Sequence, residues 1–127
     1  MSSVTYQKGE QNFRRLFGDE VVDQVLKNVT EFDKEMHRLL FEYCFGEIWS
    51  REGLSLKQRR LNTLCMMAAM NRSWEFEVHF RGAVRDGVPL EELRETLLQI
   101  AVYAGIPAGL EAFRIANRVL KEEGLQE

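Results

Sequence analysis

The stretch that divides this sequence is Tyr43-Cys44-Phe45-Gly46-Glu47-Ile48-Trp49-Ser50-Arg51-Glu52-Gly53-Leu54. Two glycines bracket a Glu, a Trp and an Arg, and the pattern on either side is helical. Because glycine weakens helix interiors and favours turns, residues 46–54 are predicted to interrupt the helices. A polar and aromatic segment placed between two helices is typical of a cavity wall or an interface.

Outward from this stretch, apolar residues recur at three- and four-residue steps, and no segment alternates with period two for long. Capping and stop signals divide the pattern: Asp19 precedes a long apolar face, Ser55 and Gln58 have the spacing of a capping box, and Gly87 suits a helix end. The predicted helices run over about residues 11–17, 20–45, 56–71, 74–85, 90–104 and 107–122. Short connections favour antiparallel neighbours, so the sequence predicts an all-α, single-domain bundle of about six helices spanning residues 1–127.

Composition narrows the class of protein. A chain of 127 residues with 45% hydrophobic content supports one domain with a real core. The net charge of −3 and the lack of a basic stripe argue against nucleic acid as a partner. No apolar run approaches the roughly 18 residues of a membrane span, and no secretory signal is evident. With Cys44 and Cys65 each in an apolar pattern, we expect reduced thiols and a cytoplasmic protein.

Four blocks of the sequence resemble the carboxymuconolactone decarboxylase family, which belongs to the alkylhydroperoxidase D-like superfamily. Residues 43–54 match the family pattern YxxGEIWxRxGL, which is fairly specific. The helical blocks alone would indicate only the wider superfamily. They are Leu61-Asn62-Thr63-Leu64 leading to Asn71-Arg72, Glu77-Val78-His79 with Gly82-Ala83, and residues 99–108. The resemblance covers about residues 10–122, the expected core of the domain.

The resemblance implies an alkylhydroperoxidase D-like fold and a reaction. The family removes carbon dioxide from a carboxymuconolactone, a lactone dicarboxylate, and leaves an enol-lactone in aromatic (protocatechuate) degradation. The conjugated lactone carbonyl accepts the released electrons, so no metal, flavin or pyridoxal cofactor is needed in principle. The family also forms ring-like homo-oligomers, so we expect a hexamer or trimer.

Three side chains are the main candidates for this chemistry. His79 has an ordinary pKa near 6.5 and suits proton transfer, although a packed histidine bonded to a backbone carbonyl is the alternative. Glu47 is a candidate proton donor if its surroundings are dry, and otherwise a loop carboxylate paired with Arg51. Arg51 suits a two-bond clamp on a substrate carboxylate, or else a surface ion pair of little energetic value.

Three aromatic residues are candidates for lining the substrate site. Trp49 and Trp74 are predicted to contact substrate, although aromatics at helical spacing more often pack in a core. Tyr103, next to Gly105, can offer a hydroxyl to the lactone oxygen, with core or interface packing as the alternative. The basic run that includes Lys57 and Arg60 is predicted to be solvated.

Two other functions fit a fold of this class. Alkylhydroperoxidase D proteins reduce peroxide through a Cys-x-x-Cys-x-x-x-His motif, whose reactive thiols have low pKa values. Counting back from His79, the two thiol positions are Arg72 and Glu75, which argues against a thiol-dependent peroxide reductase. A non-catalytic, small-molecule-binding oligomer is the other alternative.

Overall fold

The computed structural model describes residues 3–126, and every regular element within them is helical. The predicted all-α class is confirmed. The described residues form two compact units, residues 3–56 (unit 1) and residues 57–126 (unit 2). Within residues 3–126, no helix combines the length and the apolar character needed to cross a membrane.

Unit 1 begins with helix α1, Val4–Phe17, seven residues earlier than predicted. The Ser3 hydroxyl caps this helix by accepting a hydrogen bond from the Tyr6 amide at 3.0 Å. Helix α2, Asp19–Lys27, follows directly after Gly18, whose φ of 88° ends α1. Asp19 is therefore the first residue of α2, and the prediction that it caps the helix from outside is wrong.

The predicted long helix over residues 20–45 is divided in two. Helix α2 ends at Lys27, and α3, Lys34–Arg38, begins after a turn. Two reciprocal hydrogen bonds hold that turn: the Thr30 amide donates to Asp33 Oδ1 at 2.8 Å, and the Asp33 amide donates to Thr30 Oγ1 at 3.2 Å. Short polar side chains compete with helical hydrogen bonding in this way. The break raises the number of helices in residues 3–126 to seven.

Helix α3 continues without a break as a π-helix, Leu39–Ile48. The backbone amide of Trp49 donates to the carbonyl of Cys44 at 3.1 Å, which is the five-residue step of this helix type. Gly46 therefore lies inside a helix, and the predicted interruption begins only after Ile48. The glycine is required for packing, because a Cβ at position 46 would overlap the carbonyl oxygen of Thr5 on α1.

Aromatic packing fills the core of unit 1. The rings of Phe13 and Phe45 stack with centroids 4.8 Å apart, and Phe13 also contacts Phe41 at 5.3 Å. Gly9 on α1 faces the backbone of Phe41, where any side chain would overlap the carbonyl oxygen. The close approach of α1 to the π-helix thus depends on one glycine from each helix.

Unit 2 contains four helices, the first of which begins at the last residue of unit 1: α4, Leu56–Ala69; α5, Ser73–Arg85; α6, Leu90–Ala104; and α7, Ile106–Glu122. The helix stops at Gly87 and Gly105 are confirmed, with φ values of 83° and 110°. The main buried apolar side chains are Leu64, Phe76, Phe80, Leu93, Leu97, Ile100, Ile115 and Val119.

Candidate functional site

In unit 1, the predicted residues lie at and just after the end of the π-helix. Glu47 is on its last turn, and Arg51 follows it in the turn that comes next; both are exposed in the single chain. Trp49 is half-buried, with its ring 5.8 Å from that of Phe45 and its side chain hydrogen-bonded to the thiol of Cys44. Unit 1 therefore presents an acid and a cation to solvent above an aromatic core.

In unit 2, His79 is the buried member of the predicted set. It lies on α5 among the core residues and is only 7% exposed. Burial, and then the positive charge of Arg60, lower the pKa of His79 to about 4. The imidazole is therefore neutral at neutral pH, so it can donate one hydrogen bond and accept another but holds no extra proton.

Arg60 contradicts the prediction that the basic run near Lys57 is solvated. It is 0% exposed on α4, and its Nε lies 3.8 Å from Oδ2 of Asp86 at the end of α5. The helical spacing carried the signal, because Arg60 stands four residues before the fully buried Leu64 and so shares its face. Unit 2 brings together a buried guanidinium, a carboxylate and a neutral imidazole.

A cavity of about 320 Å³ opens in unit 2 between the turn that joins α4 to α5 and the N-terminal half of α7. Its apolar wall includes Met67, Phe76 and Ile115. Its polar lining includes Arg72 and Glu111. Since His79 follows Phe76 by three residues, it lies about one turn further along the same side of α5. Sequence reasoning assigned no binding role to any residue of this cavity.

Two predicted substrate contacts lie on the surface of unit 2. Trp74, on the first turn of α5, is 59% exposed, and Tyr103, near the end of α6, is 82% exposed. Neither lines the cavity. Their roles as substrate contacts stay predictions, and large exposed aromatics are equally typical of surfaces that bind another chain.

The two thiols have the properties of structural cysteines. Cys44 and Cys65 are free and half-buried, and burial raises the pKa of both. A raised pKa lowers the fraction of thiolate, which is the form that attacks peroxide. Among residues 3–126, no group of three or more His, Cys, Asp or Glu side chains has an arrangement able to hold a metal ion.

Comparison with known proteins gives one matching family and two similar decarboxylases. The model of the carboxymuconolactone decarboxylase family matches residues 34–118, from α3 into α7. The chain is 32% identical over 120 residues to 4-carboxymuconolactone decarboxylase of Acinetobacter baylyi, covering 94% of this chain and 90% of that protein. It is 36% identical over 107 residues to nitrosuccinic acid decarboxylase npaB of Metarhizium robertsii, covering 84% and 75%.

The name of a third similar protein gives no activity. An uncharacterized 15.0 kDa protein of Paracoccus denitrificans is 33% identical over 86 residues, covering 66% of this chain and 64% of its own length. The matched family region contains residues 43–54 and His79, so it includes the predicted residues of both units.

Proposed function

This chain belongs to the carboxymuconolactone decarboxylase family, and on that premise we propose that it decarboxylates 4-carboxymuconolactone without a cofactor. The product would be the 3-oxoadipate enol-lactone of protocatechuate degradation. The observation that carries the proposal is a neutral, buried imidazole, His79, beside the buried cation Arg60. A site for this reaction needs positive charge and a hydrogen-bond donor in surroundings of low dielectric constant.

The reaction balances without an external electron acceptor. The bond between the carboxylate carbon and the ring carbon breaks, and carbon dioxide leaves. The electron pair moves through the conjugated ring onto the carbonyl oxygen of the lactone, and a proton then adds to a ring carbon. The protein must hold a dianion, stabilise the new oxyanion and deliver that proton.

His79 suits two of these tasks in sequence. As a neutral imidazole it donates a hydrogen bond to the oxyanion without repelling the guanidinium of Arg60. A bound dianion would favour the charged form of the imidazole and raise its pKa, which prepares it to take up and pass on a proton. Arg60 supplies a fixed positive charge within the same unit.

The remaining roles follow the family resemblance. Glu47 shares proton delivery with His79, and Arg51 holds a substrate carboxylate. Trp49, Trp74 and Tyr103 complete the substrate contacts. The last two are exposed in the single chain, which supports a site completed in a homo-oligomer. From the family resemblance we propose a trimer or hexamer, in the cytoplasm.

A second candidate substrate is a nitro-substituted dicarboxylic acid. The similarity to a nitrosuccinic acid decarboxylase, at 36% identity, favours it. A nitro group next to the departing carboxylate accepts the electron pair as a conjugated lactone does. The protein has the same three tasks: it must hold a dianion, stabilise an oxyanion and deliver one proton.

The experiment compares both substrates in one preparation. Loss of 4-carboxymuconolactone is followed by ultraviolet absorbance, and carbon dioxide release from nitrosuccinate by a coupled assay. We expect turnover of the lactone to exceed that of the nitro acid, and both to fall in His79→Gln. Nitrosuccinate turnover alone would move the assignment to the second substrate, and background rates for both would overturn the proposal.

A further inference from the structure

The cavity of unit 2 has the size and lining of a small-molecule site. Its volume of about 320 Å³ accommodates a compact organic acid. One wall is apolar, with Phe76, Ala112 and Ile115, whereas the rim carries Arg72 and Ser73. A molecule with an apolar ring and an anionic group matches this division of surfaces.

The positive charge at the rim is available to a ligand. Among residues 3–126, no carboxylate forms an ion pair with the Arg72 guanidinium. Glu111 also lines the cavity, but its carboxylate is already occupied by Arg114 on one oxygen and by the Ser73 hydroxyl, 3.2 Å away, on the other. The ion pair of Glu111 with Arg114 offsets its negative charge, so Arg72 gives the rim a net attraction for anions.

The backbone holds Arg72 in a defined position. Asn71 has a left-handed φ of 61°, which ends α4. The Arg72 amide donates to the carbonyl of Met67 at 2.8 Å, and the Asn71 amide donates to that of Ala68 at 3.2 Å. These are the two hydrogen bonds of a Schellman motif, and asparagine tolerates the left-handed conformation better than most residues. Little backbone ordering is therefore needed when a ligand binds.

We propose that this cavity binds a carboxylate group of a small lactone acid and that Arg72 recognises that carboxylate. The identity of the ligand rests on the proposed function. Arg72 precedes His79 by seven residues, about 10 Å along α5. Phe76 lies between them in the chain and lines the cavity, so the apolar ring of a ligand held at Arg72 would contact Phe76.

The test uses an unreactive lactone acid, 5-oxotetrahydrofuran-2-carboxylate, and its neutral methyl ester. Binding to the full chain is measured by nuclear magnetic resonance titration of the amides in α5. We expect the wild type to bind the acid about tenfold more tightly than the ester, in line with a charged hydrogen bond. Arg72→Gln should abolish that preference and leave ester binding unchanged. The matched control is Arg94→Gln, which removes an exposed arginine of unit 2 outside this cavity.

Each result of these titrations either supports the carboxylate site at Arg72 or overturns it. Equal acid preference in Arg72→Gln and wild type would overturn the inference, as would shifts confined to amides outside the cavity. The same loss in Arg94→Gln would assign the preference to overall charge and also overturn it. Arg72-dependent binding by a protein that decarboxylates neither substrate would support the binding site and refute the proposed reaction.

Discussion

At the scale of single residues, His79 and Arg60 are the informative pair. Both are buried in unit 2, and a charged imidazole there is disfavoured by burial and by the guanidinium. The importance of His79 could be predicted because it lies in a block of sequence that resembles the family. The burial of Arg60 could not, because a basic residue close to a helix start is usually solvated and only its spacing to Leu64 indicated otherwise.

The depressed pKa of His79 makes stability depend on pH. Its folded value of about 4 lies below the ordinary 6.5 of the unfolded chain, so the unfolded state binds more protons between these values. The contribution of neutral His79 to the free energy of unfolding is therefore complete above about pH 6.5, and it is lost as the pH drops toward 4. Between pH 7.5 and 4.5 we expect the wild type to lose about 2 kcal/mol more than His79→Gln.

Denaturant unfolding at both pH values measures this difference. Groups such as Glu123, whose pKa is lowered to about 2 mainly by Arg85, are present in both proteins, so their contribution cancels. His37→Gln serves as the control, because it removes the other histidine of the chain. Parallel loss of stability in wild type and His79→Gln would contradict the account.

At the scale of elements, the packing of α1 on the π-helix depends on two glycines as well as on aromatic side chains. Gly46 was predicted to end a helix because glycine often does so in a sequence. Its function is contact with α1, which only the fold reveals. The break at Thr30 was missed because Val29 and Phe32 continue an apolar spacing, yet Phe32 is 99% exposed. The helix ends at Gly87 and Gly105 were predictable because glycine adopts a positive φ without steric cost, whatever the tertiary structure around it.

Gly9→Ala tests the close packing of α1. Alanine raises helix propensity by roughly 1 kcal/mol, but its Cβ would overlap the carbonyl oxygen of Phe41, a backbone atom that cannot turn aside. We expect the overlap to dominate and to lower the free energy of unfolding by about 1–3 kcal/mol, as overpacked cores do. Gly53→Ala is the control, since nothing lies within 4 Å of a Cβ there. Stabilisation by Gly9→Ala would refute this packing.

At the scale of the whole molecule, the proposed assembly would cover apolar side chains that the single chain exposes. The end of α6 and the start of α7 expose Val102, Tyr103, Ile106 and Leu110 by 64–82%. Contiguous apolar surface of this kind is costly in water and typical of interfaces. The sequence indicated this surface only through the interface alternative for Tyr103, because the other residues continue the apolar pattern of two helices.

Leu110→Arg is expected to dissociate the homo-oligomer that we propose. Burying an unpaired charge in an apolar interface costs several kcal/mol. Light scattering after size exclusion should give a multiple of 14.8 kDa for the wild type and a smaller mass for the variant. Asn117→Arg adds the same charge at an exposed polar position of α7 and should keep the wild-type mass. A monomeric wild type would contradict the assembly.

The most direct test of the account is the turnover of 4-carboxymuconolactone by dialysed, chelator-treated protein. We expect the wild type and His37→Gln to convert the lactone with release of one carbon dioxide per enol-lactone formed. We expect His79→Gln to lose activity by about 100-fold or more, the usual size of a general acid–base contribution. Undiminished turnover in His79→Gln, or activity in the wild type only after a metal ion is restored, would contradict a cofactor-independent reaction that depends on the buried imidazole.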